Sequence, residues 1–250
     1  ATSYNWNFGD GNTSAEANPV HTYANPGLYT VTLTGTKGSG TAVATKMVTI
    51  SGDMTAGNLV GGAWRVRNAA NSIFVGPGLG KPDWWQVPAN FLDGTSTGGD
   101  DWSCITNDEF IFSAGGGYEY KTNGDARNDG YMGSPNGCWS DAQVAASGNG
   151  AAFGSGTHTW TFTEASASPS GRPIIHLQNG TSGAAFLGFY KGYYGGENTD
   201  GANLPNGGLT STQYEVMSYV NDGTKETMTV SVDYTAAHDG SQGWTVVLVR

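Results

Sequence analysis

The chain has 250 residues, of which 40 are glycine, 8 tryptophan and 12 tyrosine, and 37% are hydrophobic. This composition suits short strands joined by many turns, and no stretch approaches the length of a membrane span. The net charge of −10 disfavours nucleic acids and polyanionic glycans as ligands, because phosphate, sulfate and uronate groups need lysine and arginine partners. A neutral partner is the simpler expectation.

The first 34 residues show a strand and turn pattern. Two alternating hydrophobic segments and two glycine-containing turns follow one another, at Trp6 and Phe8, Gly9 to Gly11, Asn25 to Gly27, and Tyr29 to Leu33. Glycine supplies the positive φ that such turns need, and Asp10 can accept hydrogen bonds from its own turn. The run from Tyr4 to Thr34 resembles the polycystic-kidney-disease (PKD) repeat, a small extracellular β-sandwich that acts as a spacer in surface proteins.

The resemblance implies strands ahead of this run, whereas only three residues precede it here. We therefore expect an N-terminally incomplete first domain, with either upstream residues or a neighbouring domain covering its exposed strand edges. The turn-rich segment 51–58 ends the pattern. We expect a PKD-like domain at residues 1–52 and a second domain at residues 53–250.

The second domain again alternates with a period of two, and no segment has a convincing helical period. The alternating segments lie around Trp64 and Val66, at 159–162, 186–190, 214–220, 228–234 and 244–248. The predicted fold class is all-β, with a partial PKD-like β-sandwich followed by a larger antiparallel β-sandwich of jelly-roll type. The glycine-rich and aromatic loops between the strands are where binding residues are expected.

Short motifs in this second part carry another resemblance. They are residues 75–77 and 83–85, Asn107 to Phe112, 118–125, 214–216 and 243–245. From Gly61 to Arg250 the chain is similar to β-sandwich glycan-binding modules found beside PKD repeats in bacterial surface glycan-binding proteins and some laminarinase-type enzymes. The resemblance implies capture of a neutral β-glucan, laminarin first, for uptake or degradation. Asn107 replaces an Asp of the usual Asp-Asp-Glu, which allows a different ligand.

Cys104 and Cys138 are the only cysteines. In an exported protein two cysteines predict a disulfide, the alternative being two buried thiols. No histidine stands near either at a spacing suited to zinc. The cysteine pair is not a feature of the glycan-binding modules, so the loop it closes has its own shape.

Aromatic residues in glycine-rich loops are the candidate ligand contacts, since an indole or phenol face packs against the C–H groups of a sugar ring. The predicted set is Trp84, Trp85, Trp102, Trp139, Tyr190, Tyr193 and Tyr194. Trp84 and Trp85 should point to opposite sides of an extended segment, so that one is buried and one exposed. The alternative for each member is packing in the core, in loops or, for Trp102 and Trp139, on the disulfide.

Four further tryptophans and two histidines fit structural positions. Trp6, Trp64, Trp160 and Trp244 stand in alternating strand patterns and are predicted to be core residues. His158 shares the face of Trp160 and Phe162, and His21 belongs to the PKD-like run, so neither is expected to be catalytic.

The main alternative function is glycoside hydrolysis, which usually needs two carboxylates on either side of the bond. Asp108 and Glu109 are adjacent and should point to opposite strand faces, while Glu215 and Glu226 stand apart. No Gly-x-Ser-x-Gly or His-Glu-x-x-His motif occurs. We therefore expect no enzyme but a non-catalytic glycan-binding protein, a structural spacer or adhesion module being the second candidate.

No cofactor is required by this interpretation. A loose structural calcium site is an alternative at Asp100 and Asp101 or at 123–130, against Asx turns with solvated carboxylates. The segment 123–130 does not fit an EF-hand, because Arg127 occupies a ligand position. The PKD resemblance implies an extracellular or outer-membrane surface location, with neighbouring domains or a glycan-uptake complex as partners.

Overall fold

The computed structural model describes residues 1–25, 27–130, 132–147, 153–180, 183–189, 210–235 and 237–250. The chain divides into two compact units. The smaller unit comprises Ala1–Asp53 and Ser218–Glu226, and the larger comprises Met54–Met217 and Thr227–Arg250. Within the described residues, no helix combines the length and hydropathy that a membrane crossing requires.

The smaller unit contains one antiparallel sheet with the strand order β2-β1-β3-β4. Its strands are β1 (Ser3–Asn7), β2 (Thr13–Ser14), β3 (Gly27–Lys37) and β4 (Gly40–Ile50). Trp6 lies opposite Leu33, so these side chains share one face with Val31. The intervening threonines of β3 lie on the other face.

The aromatic pattern of the PKD-like run forms a small packed group. Phe8 is buried at 7% exposure, and the imidazole of His21 stacks on it with ring centroids 4.0 Å apart. The Tyr23 hydroxyl donates to the Phe8 carbonyl oxygen at 3.0 Å. Trp6, predicted to be a core residue, is only half-buried. Its sheet face is covered locally by the turn at Glu16, whose carbonyl accepts from the indole N–H at 3.0 Å.

The larger unit is built from twelve strands and a few short helices in the described residues. The strands are β5 (Ala63–Val66), β6 (Ile73–Gly76), β7 (Trp85–Gln86), β8 (Glu109–Phe112), β9 (Gly117–Lys121), β10 (Asp125–Asn128), β11 (Gly137–Ser140), β12 (Gly156–Thr163), β13 (Ile174–Gln178), β14 (Ser211–Asn221), β15 (Glu226–Asp233) and β16 (Gly243–Val249). The α-helices are α1 (Ala89–Leu92) and α2 (Asp141–Ala146), and 3₁₀ turns lie at Ala56–Asn58, Gly98–Asp100, Ser103–Thr106 and Ala165–Ala167. The predicted all-β class is confirmed.

The main sheet closes on itself. Its order is β15-β14-β13-β12-β9-β8-β5-β16-β6-β7, and β15 also pairs with β16. One edge of β16 pairs with two strands. It pairs with β5 near Val249 and with β6 from Val246 to Gly243. The closure leaves few unpaired strand edges and encloses the core between its two walls. Alternate residues along each strand therefore face either the core or the outer surface.

The interior confirms the positions predicted for three tryptophans. Trp64, Trp160 and Trp244 are 0%, 7% and 5% exposed. A segment without regular structure, Ala184 to Phe189, is also fully enclosed. Its backbone groups find partners in tyrosine hydroxyls, because the Leu187 N–H donates to Tyr214 Oη at 3.0 Å and Tyr118 Oη donates to the Phe186 carbonyl.

A second, two-stranded sheet is attached through the predicted disulfide, which is confirmed. Strands β10 and β11 form this hairpin, and Cys138 of β11 is bonded to Cys104 of the 3₁₀ turn at 103–106. Ser140 caps α2, with its hydroxyl accepting from Gln143 N. The β10–β11 hairpin and α2 bury little core of their own. The disulfide therefore holds them to the rest of the larger unit.

Candidate functional site

Trp84 and Trp85 point to opposite sides of the segment as alternation predicts, but Trp85 is half-buried and not fully buried. Strand β7 pairs Trp85 with Val75, whose side chain faces the core, so Trp84 faces outward. Among the described residues of the larger unit, Trp84 is the one large hydrophobic side chain that is exposed, at 53%. An exposed indole of this kind offers a flat apolar face with a hydrogen-bond donor at its edge.

Trp85 belongs to an aromatic cluster beneath that surface. Its ring centroid lies 5.4 Å from that of Trp102 and 5.9 Å from that of Trp244. Phe91 and Phe189 complete the cluster. The ring centroid of Phe91 lies 6.4 Å from that of Trp85, and the ring centroid of Phe189 lies 5.2 Å from that of Trp102. Contacts of this kind fix the backbone of β7 firmly, so Trp84 projects from a rigid base.

The interpretation of Trp102 as a ligand contact is corrected by the structure. Trp102 is 6% exposed, and its indole N–H donates to the Gly99 carbonyl at 3.2 Å. The guanidinium carbon of Arg127 lies 4.4 Å from its ring centroid, so a cation covers one face while Trp85 packs nearby. Trp102 is a core residue with no face open to a sugar.

The other predicted contacts are placed differently. Trp139 lies on β11, half-buried, and its indole N–H donates to the Pro135 carbonyl at 2.9 Å. Its position is on the attached hairpin, away from the aromatic cluster around Trp85. Tyr190, Tyr193 and Tyr194 lie outside the described residues.

The loop before Trp84, residues 77–83, is packed tightly on the outer face of the sheet. A Cβ on Gly76 would lie 2.2 Å from the Lys81 carbonyl oxygen, and one on Gly243 would lie 2.8 Å from Leu79 Cδ2. The Gly80 N–H donates to Ser231 Oγ and Thr245 Oγ1, both at 3.2 Å. Glycine is required at Gly76 and Gly243 because the loop backbone occupies the space of a side chain.

A cleft of about 150 Å³ opens beside this loop. It is lined by Leu79, Ile174, Gln213, Glu215, Ser231, Asp233, His238 and Gly240. Register places Ile174 opposite Glu215, so their side chains share the outer face of β13 and β14. The cleft therefore combines two apolar side chains with an amide, two carboxylates and an imidazole.

This cleft was not predicted from the sequence, in which Glu215 stands as an isolated carboxylate. The available signal was the outward-facing alternation of Gln213 with Glu215 on β14 and of Ser231 with Asp233 on β15. Alternation predicts that each pair shares a face, but it does not show that β13, β14 and β15 are neighbours.

The carboxylates considered for catalysis are each engaged. Asp108 is buried, and Tyr120 Oη donates to its Oδ2 at 2.9 Å. Glu109 pairs with Arg65, and Glu215 Oε2 accepts from Arg172 Nη1 at 3.0 Å. Glu226 accepts hydrogen bonds within the smaller unit, from Tyr219 and Asn221.

The oxygens considered for calcium serve local turns. Asp101 Oδ1 accepts from the Ser103 N–H at 3.0 Å and from Ser103 Oγ at 2.6 Å. Asp125 Oδ1 accepts from Asn107 Nδ2 at 3.0 Å, and Asp129 pairs with Arg127 at 3.0 Å. Within the described part of the chain, no three His, Cys, Asp or Glu side chains come close enough to hold a metal ion together.

Two comparisons with known proteins concern the N-terminal part. Residues 1–52 match the family model described as "PKD domain". A stretch of 32 residues is 69% identical to "Collagenase ColA" of Bacillus cereus, and it covers 13% of this chain and 3% of that protein. The chain thus spans only a small part of the curated relative's length. PKD domains are non-catalytic modules typical of extracellular proteins.

Proposed function

We propose that the larger unit binds a neutral glycan without cleaving it, with Trp84 as the stacking platform. The observation that carries this proposal is the 53% exposure of an indole next to an aromatic cluster, since an open indole face can pack against the C–H groups of a sugar ring. Trp85 beneath it is held at 5.4 Å from Trp102. A preformed platform costs little entropy on binding.

The charge of the chain supports a neutral ligand. The net charge is −10, and uronate or sulfate groups would approach an acidic surface at an electrostatic cost. The resemblance to glycan-binding modules makes a β-glucan, with laminarin first, the ligand to test. The glycan would be captured at the outer surface of a bacterial cell, beside neighbouring domains or an uptake complex.

Binding without hydrolysis agrees with the engagement of the carboxylates. Glycoside hydrolysis needs one carboxyl group that acts as an acid and a second that acts as a base or nucleophile. Glu215 is paired with Arg172, and Asp233 Oδ1 accepts from the Thr235 N–H at 2.8 Å and Thr235 Oγ1 at 2.7 Å. The Gly80 and Gly240 loops lie beside these groups.

Calorimetry of the full chain with laminarin tests the proposal. Trp84→Ala should weaken binding by about thirtyfold, the equivalent of about 2 kcal/mol for a well-placed aromatic contact. Trp84→Tyr should keep part of the affinity, and Thr159→Ala, an exposed change on β12 outside this loop, should keep all of it. Affinity should change little with salt. A folded Trp84→Ala variant that binds like the parent, or a parent that prefers a polyanion, would overturn the proposal.

For residues 1–52 we propose a spacer role, favoured by the match to the PKD domain. The sheet of this unit exposes Val43 and Met47, at 64% and 61%. Replacing both with serine should leave laminarin affinity unchanged. A loss of affinity would place a glycan contact in this unit instead.

A further inference from the structure

The cleft beside the 77–83 loop is a preformed site whose two walls are anchored separately. On one side, Gly80 N–H bonds to Ser231 Oγ and Thr245 Oγ1 hold the loop that carries Leu79. On the other side, Asp233 Oδ2 accepts from the Gly240 N–H at 2.5 Å and its Oδ1 accepts from Thr235. The carboxylate of Asp233 is thus used to shape the loop that carries His238 and Gly240.

His238 shows that this second wall is held in an unusual shape. Its φ is 50°, in the left-handed region that residues other than glycine adopt uncommonly, asparagine, aspartate and histidine being the most frequent of them. The His238 N–H donates to the Thr235 carbonyl at 3.3 Å, within the turn that Asp233 organises. A side chain of histidine is therefore presented at the cleft by a backbone that favours glycine, which is a feature common at functional sites.

The polar groups of the cleft suit hydroxyl groups rather than ions. Gln213 is exposed, and its side-chain amide has no hydrogen-bond partner among the described residues, so both its donor and its acceptor are open. Glu215 Oε2 accepts from Arg172, and this ion pair offsets the charge of the carboxylate. Amide and carboxylate oxygens two residues apart on one strand face can bond neighbouring hydroxyls of a ring.

The apolar part of the cleft suits the C–H groups of the same ring. Leu79 comes from the loop and Ile174 from β13, so they reach the cleft from different elements. The volume of about 150 Å³ corresponds to about five water molecules at about 30 Å³ each. It lies below the range of roughly 300–1,000 Å³ for pockets that take drug-sized ligands, which suits one ring of a longer chain.

Register relates the cleft to Trp84. Trp84 directly precedes Trp85, which pairs with Val75, so Trp84 lies beside Gly76. Gly76 lies opposite Gly243, and Gly243 lies opposite Asp233. Three strand spacings of about 4.8 Å place Asp233 about 14 Å from the Trp84 backbone along one row. Leu79 and Lys81 of the loop lie over the two glycines between them.

We propose that the cleft is a one-sugar subsite that takes the end of the neutral glycan chain, while the following sugars cross the loop towards Trp84. The inference deepens the proposed function and rests on it. It adds that recognition occurs at a chain end, with Gln213 and Glu215 as the groups that bond the terminal ring. An internal sugar should bind in this cleft less well than a terminal one.

Calorimetry of the full chain with laminarihexaose and with laminarin of known chain length tests the subsite. Gln213→Ala and Glu215→Ala should each weaken binding by about five- to tenfold, as expected for one lost hydrogen bond. Glu215→Gln should bind like the parent, because it keeps an acceptor for a neutral ligand. Thr161→Ala, an outward-facing change on β12 outside the cleft, is the matched control. One protein should bind per chain end, whatever the chain length.

The outcomes separate the two proposals. If the parent binds laminarin and Trp84→Ala does not, while Gln213→Ala and Glu215→Ala bind like the parent, the cleft is not a subsite and the proposed function stands. A number of bound proteins that rises with chain length also overturns end recognition. If the folded parent binds no neutral glycan, both proposals fail. Melting temperatures of all variants show whether a loss of binding comes from unfolding.

Discussion

The Tyr120 hydroxyl donates to Asp108 Oδ2 at 2.9 Å inside the larger unit, whereas Asp108 Oδ1 has no hydrogen-bond partner in the described residues. Asp108 is 1% exposed and borders a cavity of about 10 Å³ that it shares with Arg127 and Phe186. Burial raises the pKa of this carboxyl well above its usual value, and the nearby Asp125 and Asp141 add to the shift against the opposing Tyr120 bond.

Asp108→Asn should therefore change how stability depends on pH. The unfolded carboxyl ionises near pH 4, while the folded one keeps its proton to higher pH. The contribution of Asp108 to stability should be fully present below about pH 4 and be lost as pH rises through the folded-state pKa. Asparagine keeps an acceptor for Tyr120 and has no charge, so at pH 8 the variant should gain roughly 1–3 kcal/mol over the parent.

Urea unfolding at pH 4, 6 and 8 measures this difference. Asp83→Asn, an exposed change, is the control and should follow the parent at every pH. Parallel pH profiles of Asp108→Asn and the parent would mean that the carboxylate is ionised and compensated in the folded protein.

The contribution of His158 to folding stability should depend on pH in the opposite direction to that of Asp108. It is 5% exposed, its Nδ1 accepts from the Gly180 N–H at 3.0 Å, and burial lowers its pKa. The folded imidazole stays neutral while the unfolded one gains a proton below about pH 6.5. Stability is therefore fully present above that pH and is lost as pH falls through the folded-state pKa.

His158→Asn keeps an acceptor near the position of Nδ1 but cannot be protonated. The variant should lose roughly 1–3 kcal/mol at pH 7 through its smaller volume. Its further loss between pH 7 and pH 5 should be smaller than that of the parent. His238→Asn, at an exposed histidine, is the control, and an unchanged slope in His158→Asn would contradict a buried neutral imidazole.

In the smaller unit, Asp10 should titrate at unusually low pH. Its Oδ1 accepts from the Asn12 N–H at 3.0 Å, and its Oδ2 lies 2.7 Å from His21 Nε2. Desolvation raises the pKa, but the Asn12 bonds and His21 outweigh it and lower the pKa to about 2. The stabilisation is thus present above pH 4 and is lost as pH falls through about 2.

Carbon NMR of the Asp10 carboxyl can follow this titration directly. His21→Gln should raise its pKa, since the imidazole is removed, and Asn12→Ala should raise it because Asn12 Nδ2 no longer donates to Asp10 Oδ2, a bond of 3.0 Å in the parent. Asp222, in the second part of the same unit, serves as the internal reference because its partners are Thr224 and Lys225. An Asp10 midpoint that stays the same in both variants would contradict the assigned causes.

The disulfide should carry a large share of the stability of its region. It joins residues separated by 34 positions, and closing such a loop stabilises by about 3–4 kcal/mol on the chain-entropy model. The Cys104→Ala/Cys138→Ala double variant should lose about that amount in urea unfolding. The loss of exchange protection should be greatest in 98–106 and 125–140. Unchanged unfolding after reduction of the parent would show that the hairpin is held by other contacts.

Alternation along the chain predicted much of the larger unit, because it depends only on neighbouring residues. It separated Trp84 from Trp85 and placed Trp64, Trp160 and Trp244 in the core. It could not show that Arg127 covers Trp102, since the two residues lie on elements joined by the fold and not by sequence. For Trp6 it predicted burial, whereas Trp6 is half-buried and its indole N–H donates to the Glu16 carbonyl.

The cleft could not be predicted from local sequence patterns either, because its residues come from elements that only the fold brings together. Gln213 and Asp233 lie on the consecutive strands β14 and β15, whereas Ile174 reaches the cleft from β13, which joins β14 only in the folded sheet. Leu79 reaches them from a loop more than a hundred residues away in sequence. The resemblance to glycan-binding modules pointed to aromatic side chains as ligand contacts. It gave no reason to assign a function to polar side chains on the outer strand faces.

Gly76→Ala should disturb the loop that separates Trp84 from the cleft. The added Cβ would lie 2.2 Å from the Lys81 carbonyl oxygen and 2.7 Å from its carbon, and backbone atoms at such distances have to move. Overpacking of this kind typically costs roughly 1–3 kcal/mol. Displacement of the loop should also shift Leu79 and Trp84, so laminarin affinity should fall along with stability.

Gly115→Ala is the matched control, because a Cβ there meets no atom within 4 Å. It should unfold and bind like the parent. Urea unfolding and calorimetry on the same preparations measure both effects of Gly76→Ala. A variant that is destabilised yet binds laminarin with full affinity would show that the position of the loop does not matter for the ligand. Full stability and full affinity together would contradict the tight packing of the loop on β6.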